Sequence, residues 1–224
     1  MRLTLKEVKK NAKISNFLSQ TEIYLDAMGF TDHGLRHVGI VSGRSQELAL
    51  KIGLNKRDQE LVAIAGWCHD MGNFLGRTDH HYLAATLFAQ VYLEKTSNVN
   101  EVSRIMQAIA SHDKDELKLV DDISAVLIIA DKSDVHRSRV KHYKSRDKLG
   151  ENDIHDRVNY ASTYNQLLIS KSKKEIVLRV KIDTKVAKPM EYFEIFNDRM
   201  IFCETAAKYL GYNFVLIINN FKLS

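Results

Sequence analysis

With 224 residues, 45% of them apolar and 27% charged, the chain is long enough to bury a substantial core, and its composition is that of a globular protein rather than a disordered one. One proline and ten glycines argue against a sandwich or barrel built from many tight turns, so a mainly helical chain is expected. A net charge of +5 favours anionic partners only weakly, and Cys68 and Cys203, without CxxC spacing, exclude a disulfide framework and suit a reducing, cytoplasmic compartment.

The opening MRLTLKEVKKNAK carries positive charge but no apolar segment behind it, so a secretory signal is not expected. Apolar residues then recur at helical spacing in Leu5–Met28, Val38–Ile52, Leu61–Trp67, Leu83–Leu93, Val102–Ile109 and Ile123–Ala130, which predicts about six helices in the first 140 residues. Their connections, TDHG, GLNKRD and GNFLGRTD, have turn chemistry. The longest apolar run, AVLIIA at 125–130, is far shorter than the roughly 20 residues that cross a bilayer, so no membrane association is expected.

Much of the positive charge sits in HRSRVKHYKSRDK, residues 136–148, read either as a solvated helix face or as a source of phosphate attraction. No nucleic-acid motif accompanies it, and nucleic acid is not the expected partner. Residues 145–157 are polar enough for an exposed loop, followed by a further helical stretch. Glu175–Ile182 alternates, with Ile176, Leu178, Val180 and Ile182 on one side and Arg179 and Lys181 on the other, as a half-buried strand does. Pro189 suits the first turn of a helix that aligns Phe193, Phe196, Met200, Cys203 and Leu210, and Phe214–Ile218 reads as a second strand. The expectation is a helical domain over 1–170 with a two-stranded strand-helix-strand addition over 171–224, either completing that domain or supporting a homodimer.

Histidine and carboxylate residues recur where periodicity places the core. His37 shares a helical stripe with Val41, Leu48 and Ile52; His69 and Asp70 close LVAIAGWCHD; His112 follows Ile105 and Ile109; Asp131 and Asp134 continue the stripe of Ile123 and Leu127. A single inward histidine is ordinary in a core. Several such groups from four segments, including carboxylates that are costly to bury alone, imply a shared cation, most economically a metal ion. Of the three His-Asp dipeptides, His155-Asp156 lies in a charged segment and is expected on solvated surface.

The ordered set His37, then His69-Asp70, then Asp131 in IIADKSDVHRSR resembles the signature of the HD-domain metal-dependent phosphohydrolases over roughly residues 30–140. That resemblance implies a compact helical bundle in which these four residues hold a divalent metal and Asp70 bridges to a second. It also implies a histidine at the start of the following helix and another before the final aspartate. His112 fills the second place; His80 and His81 both suit the first by spacing, and His81 is preferred because a small residue, Ala85, lies four positions on. The family's frequent lysine is Asn73 here, the second histidine of the cyclic-dinucleotide phosphodiesterases is Asp113, and their Gly-Tyr-Pro tripeptide is missing, so cyclic dinucleotides are not the expected substrate.

Mixed histidine and carboxylate donors suit one or two ions of Mn, Fe, Ni, Co, Zn or Mg. The expected function is hydrolysis of a phosphomonoester or nucleotide phosphate by metal-activated water, the alternative being a non-catalytic nucleotide- or metal-binding regulator. Asp70, His33 and Lys132 are the catalytic candidates, and Arg137, Arg139 and Asp134 the substrate-binding ones. For the two arginines a structural ion pair with Asp134 competes with that role. Cys68 is read as a small core residue; no GxSxG or Walker loop is present.

Overall fold

The computed structural model describes residues 2–95, 98–113, 118–140 and 154–223, which form nine helices and four strands. The chain divides into two compact units, Met1–Asp131 and Lys132–Ser224. No helix among the described residues is long and apolar enough to cross a membrane.

The first unit holds α1 (Leu5–Lys10), α2 (Ala12–Ala27), α3 (Leu35–Ile52), α4 (Lys56–Cys68), α5 (His80–Tyr92), α6 (Val99–Ser111) and nearly all of α7 (Asp122–Lys132). The apolar stretch Leu5–Met28 is two helices rather than one. Asn11 leaves the helical region (ψ 116°) and its side-chain oxygen accepts the N–H groups of Lys13 and Ile14, so a residue that favours local capping starts a second helix within an otherwise helical pattern. Thr4 and Glu7 form a capping box on α1. Gly53, at φ 95°, ends α3, and Asn55 caps α4.

Helices α3 and α4 pack most closely at Gly66, where a Cβ would lie 3.0 Å from the Ser42 Cα, and the Ser42 hydroxyl donates to the Ala63 carbonyl at 2.7 Å. Helix α7 is apolar on every side, and Ile123 and Ala125 through Ala130 are fully buried. A central helix of that kind can carry Asp131 into the interior only if something answers its charge.

In the second unit α8 (Ile154–Ala161) leads into β1 (Ser162–Ser170), which pairs antiparallel with β2 (Glu175–Ile182). Helix α9 (Pro189–Tyr209) then crosses to β3 (Asn213–Ile218), parallel to β2, and β4 (Phe221–Lys222) completes the order β1-β2-β3-β4. The alternation in β2 is as expected, with Ile176, Leu178, Val180 and Ile182 buried and Arg179 and Lys181 exposed. The addition is a four-stranded sheet rather than a two-stranded one: β1 is half-buried with weak alternation, and β4 is two residues long. Residues 132–140 and 154–170 cluster with this unit.

On α9, Tyr192 rather than Phe193 takes the buried position beside Phe196, Met200 and Cys203, while Phe193 and Leu210 are half-buried. His155-Asp156 is not a loop pair. It lies in α8, with His155 exposed but Asp156 buried. Positions 145–153 of the expected loop and 141–148 of the basic stretch lie outside the described residues.

Candidate metal centre

Five segments of the first unit meet around one carboxylate, that of Asp70. His37 comes from the second residue past the start of α3 proper, His69 and Asp70 from the end of α4, His80 from the first turn of α5 and His112 from the end of α6, with Asp131 next to last on α7. His37 Nε2 lies 3.3 Å from His69 Nε2, 3.4 Å from Asp70 Oδ2 and 3.2 Å from Asp131 Oδ1. His69 Nε2 is 3.3 Å from Asp70 Oδ2 and 3.6 Å from Asp131 Oδ1. Thus His37, His69, Asp70 and Asp131 meet as the sequence pattern led one to expect.

The other oxygen of Asp70 faces a second set. Asp70 Oδ1 is 3.3 Å from His80 Nε2 and 3.8 Å from His112 Nε2, and those two ring nitrogens are 3.2 Å apart. In the groups His37-His69-Asp70, His69-His112-Asp131 and Asp70-His80-His112 the donor atoms all lie within 4.8 Å of one another.

The rings are aimed by the backbone. His69 Nδ1 bonds to the Gly66 carbonyl at 2.9 Å, His80 Nδ1 to Arg77 at 2.9 Å and His112 Nδ1 to Ile109 at 2.6 Å, each three residues back. A carbonyl can only accept, so each Nδ1 carries a proton, and whenever such a ring is neutral its Nε2 lone pair faces inward. Two such lone pairs 3.2 Å apart, on His80 and His112, repel unless a cation or a proton lies between them. Asp70 Oδ2 is likewise buried with no conventional hydrogen bond among the described residues. Nitrogen lone pairs and carboxylates aimed together, all buried but the half-buried Asp131, are the donor set a divalent ion requires.

The protonation pattern shows the same demand for positive charge. Burial opposes a charge on His69, yet Asp70 and Asp131 outweigh it and push this imidazole up to about 10. Burial also opposes the charge on Asp70, but His69, His80 and His33 hold its carboxyl well below the usual range. His112 is driven down to about 3, first by burial and then by the charges of His69 and His80. A proton on His69 thereby does part of what a metal ion would do.

It is His80, rather than the preferred His81, whose ring nitrogen joins these donor groups from α5. Both rings are buried, but His81 packs against Tyr82 with centroids 4.2 Å apart and enters none of the donor groups. Gly72 is the reason: a Cβ there would lie 2.4 Å from the His80 carbonyl oxygen and 2.5 Å from the Ala84 nitrogen, so only glycine lets the start of α5 seat against the His69-Asp70 corner.

Four further residues complete the surroundings. The Asn73 amide donates to Asp70 Oδ1 at 2.8 Å and to the Asp70 carbonyl at 3.0 Å, while its own oxygen accepts from Arg77 Nη1 at 2.8 Å. Arg77 Nη2 and His80 Nε2 each lie 3.8 Å from Asp113 Oδ2 at the rim. Sequence reasoning treated Asn73 as a departure from pattern and passed over Arg77; their i, i+4 spacing just after His69-Asp70 is the one signal that pairs them. His33 is buried beside His37, ring centroids 5.5 Å apart, with Nδ1 on the Thr31 carbonyl at 2.6 Å, and lies outside the donor groups.

Lys132, Asp134, Arg137 and Arg139 belong to the second unit. There Lys132, Asp134 and Arg139 are buried, Arg139 Nη1 donates to the Asp134 carbonyl at 2.8 Å, and the Arg137 guanidinium stacks 5.3 Å from the Tyr160 ring. Cys68 is buried, and burial pushes its thiol up, away from nucleophilic use.

Residues 34–138 match the family model described as HD domain. No curated protein matches the chain.

Proposed function

We propose that the chain, whose residues 34–138 match the HD-domain family model, is a metal-dependent phosphohydrolase acting on a phosphomonoester or a nucleotide phosphate. The observation that carries this reading is the division of one buried carboxylate, Asp70, between two histidine sets, His37 and His69 on Oδ2 and His80 and His112 on Oδ1.

In this reading His37, His69, Asp70 and Asp131 would hold one divalent ion, and Asp70, His80 and His112 a second; the chemistry such ions would supply is polarisation of phosphoryl oxygens and a bound water whose pKa is lowered toward neutrality. The protein's part is positioning: the carbonyls of Gly66, Arg77 and Ile109 fix three rings, and Asn73 fixes Asp70. Arg77, held by Asn73 with part of its fork open at the rim, grips substrate phosphate, and His33 moves a proton beside His37. From the sequence alone, Lys132, Asp134, Arg137 and Arg139 remain our candidates for further substrate contacts, and two buried thiols suit a cytoplasmic setting. A regulatory alternative rests on two features, Asn73 where the family often has lysine and the C-terminal strand-helix-strand addition. Asn73 has a use here, as the donor that orients Asp70, which favours the enzyme.

The test is a panel of phosphomonoesters and nucleotides assayed with each metal in turn, with chelator controls and Asp70→Ala alongside. Turnover that needs metal and vanishes in Asp70→Ala is expected. Full turnover by metal-free Asp70→Ala would overturn the proposal.

A further inference from the structure

The sheet of the second unit carries a cavity of about 490 Å³ lined by Tyr164, Arg179, Val180, Lys181, Ile217 and Asn220. We propose that it is a binding site for a nucleoside polyphosphate, separate from the metal centre and independent of the phosphohydrolase reading.

Charge is the first argument. Arg179 and Lys181 are two apart on β2 and therefore on one face, about 6.8 Å along the strand from each other. Neither takes part in an ion pair among the described residues, and Glu175, the acid on the same face of β2, is engaged by Lys222 at 3.5 Å. Two unanswered cations lining one concave surface favour a ligand with more than one negative charge. An anion of that kind meets a planar guanidinium fork and a flexible ammonium at a spacing suited to successive phosphates.

Shape supplies the rest of the ligand. Tyr164, a residue 42% exposed, faces Lys181 across the β1-β2 pairing, with the Lys181 ammonium over its ring 5.8 Å from the centre. An exposed aromatic ring with a cation over it is a stacking partner for a flat heterocycle, and Ile217, opposite Arg179 on β3, adds apolar surface on the other side of β2. Asn220 offers an amide that can read the edge of such a ring.

The wall is built before any ligand arrives. Asn219 and Asn220 sit at φ 47° and 73°, the left-handed pair of a tight hairpin turn between β3 and β4. Asn219 Oδ1 accepts the Ile182 N–H at 2.8 Å and its amide donates to the Ile182 carbonyl at 3.0 Å, clamping the turn to the end of β2. Asn220 is left on the cavity side. The volume lies in the range of small-molecule sites.

The experiment titrates the full chain with N-methylanthraniloyl-ATP in EDTA, following fluorescence, with inorganic tripolyphosphate as competitor. Saturable binding is expected, weakened roughly tenfold or more in Arg179→Ala/Lys181→Ala, weakened in Tyr164→Ala for the nucleotide while tripolyphosphate still competes, and unchanged in Asp70→Ala. All four positions replaced on the sheet or at the centre are checked for folding by circular dichroism. No saturation by about 1 mM, wild-type affinity in the double variant, indifference to Tyr164→Ala, or loss of binding in Asp70→Ala would each overturn the proposal.

Discussion

The Asn73 amide donates to Asp70 Oδ1 at 2.8 Å, on the same oxygen that faces His80 and His112. Asn73 is fully buried, so this hydrogen bond is shielded from water. It fixes which way the carboxylate splits between its two histidine sets. Asn73→Ala is expected to weaken metal binding and turnover by about 10–100-fold at a cost of roughly 1–3 kcal/mol in stability. Equilibrium dialysis against Mn²⁺ beside thermal unfolding checks both; unaltered metal affinity would remove Asn73 from the account.

Metal uptake should release a proton. His69 has its pKa raised to about 10 from the ordinary 6.5, so in the metal-free protein it is charged at pH 7.5, and its Nε2 must give up that proton to bind a metal. About one proton per first-site ion is expected from calorimetry in buffers of different ionisation enthalpy. The sign for stability follows: a raised pKa stabilises the fold fully below the unfolded value near 6.5, and that contribution is lost as pH climbs toward 10. Metal-free protein should therefore lose melting temperature over that range, more steeply than metal-loaded protein.

His80 and His81 separate by geometry, not by spacing. His80→Ala is expected to weaken metal binding at least about tenfold, whereas His81→Ala keeps metal content near wild type while loosening the packing against Tyr82. Elemental analysis of both variants decides between them.

Gly72→Ala drives a methyl group into the backbone of α5, at 2.4 Å from the His80 carbonyl. Backbone cannot yield as a flexible side chain does. The expected cost is about 1–3 kcal/mol or more, with metal affinity lost alongside because His80 moves away from Asp70. Thermal unfolding and metal dialysis on one preparation would show whether the two losses travel together.

The helical half of the fold was legible because its signals are periodic. His37 with Val41 and Leu48, and Asp131 after a run of apolar residues, announce inward faces, and four of the six expected centre residues also recur in a known order. Two things escaped. Neighbouring histidines at a helix start differ by about 100° in direction, so His80 and His81 are separated only by how Gly72 seats α5, which no local pattern records. Strand β1, STYNQLLIS, is half-buried on both faces and therefore lacks the alternation that marked β2. Capping chemistry split Leu5–Met28 at Asn11, a signal present in the sequence but masked by continuous apolar spacing.

The central claim is that imidazoles and carboxylates gathered around Asp70 hold a divalent ion. Elemental analysis of protein purified without chelator, wild type beside Asp70→Ala, tests it most directly. The account predicts divalent metal near stoichiometric in the wild type and little in the variant; equal metal in both, or none retained by wild type even after dialysis against each divalent ion, would contradict it.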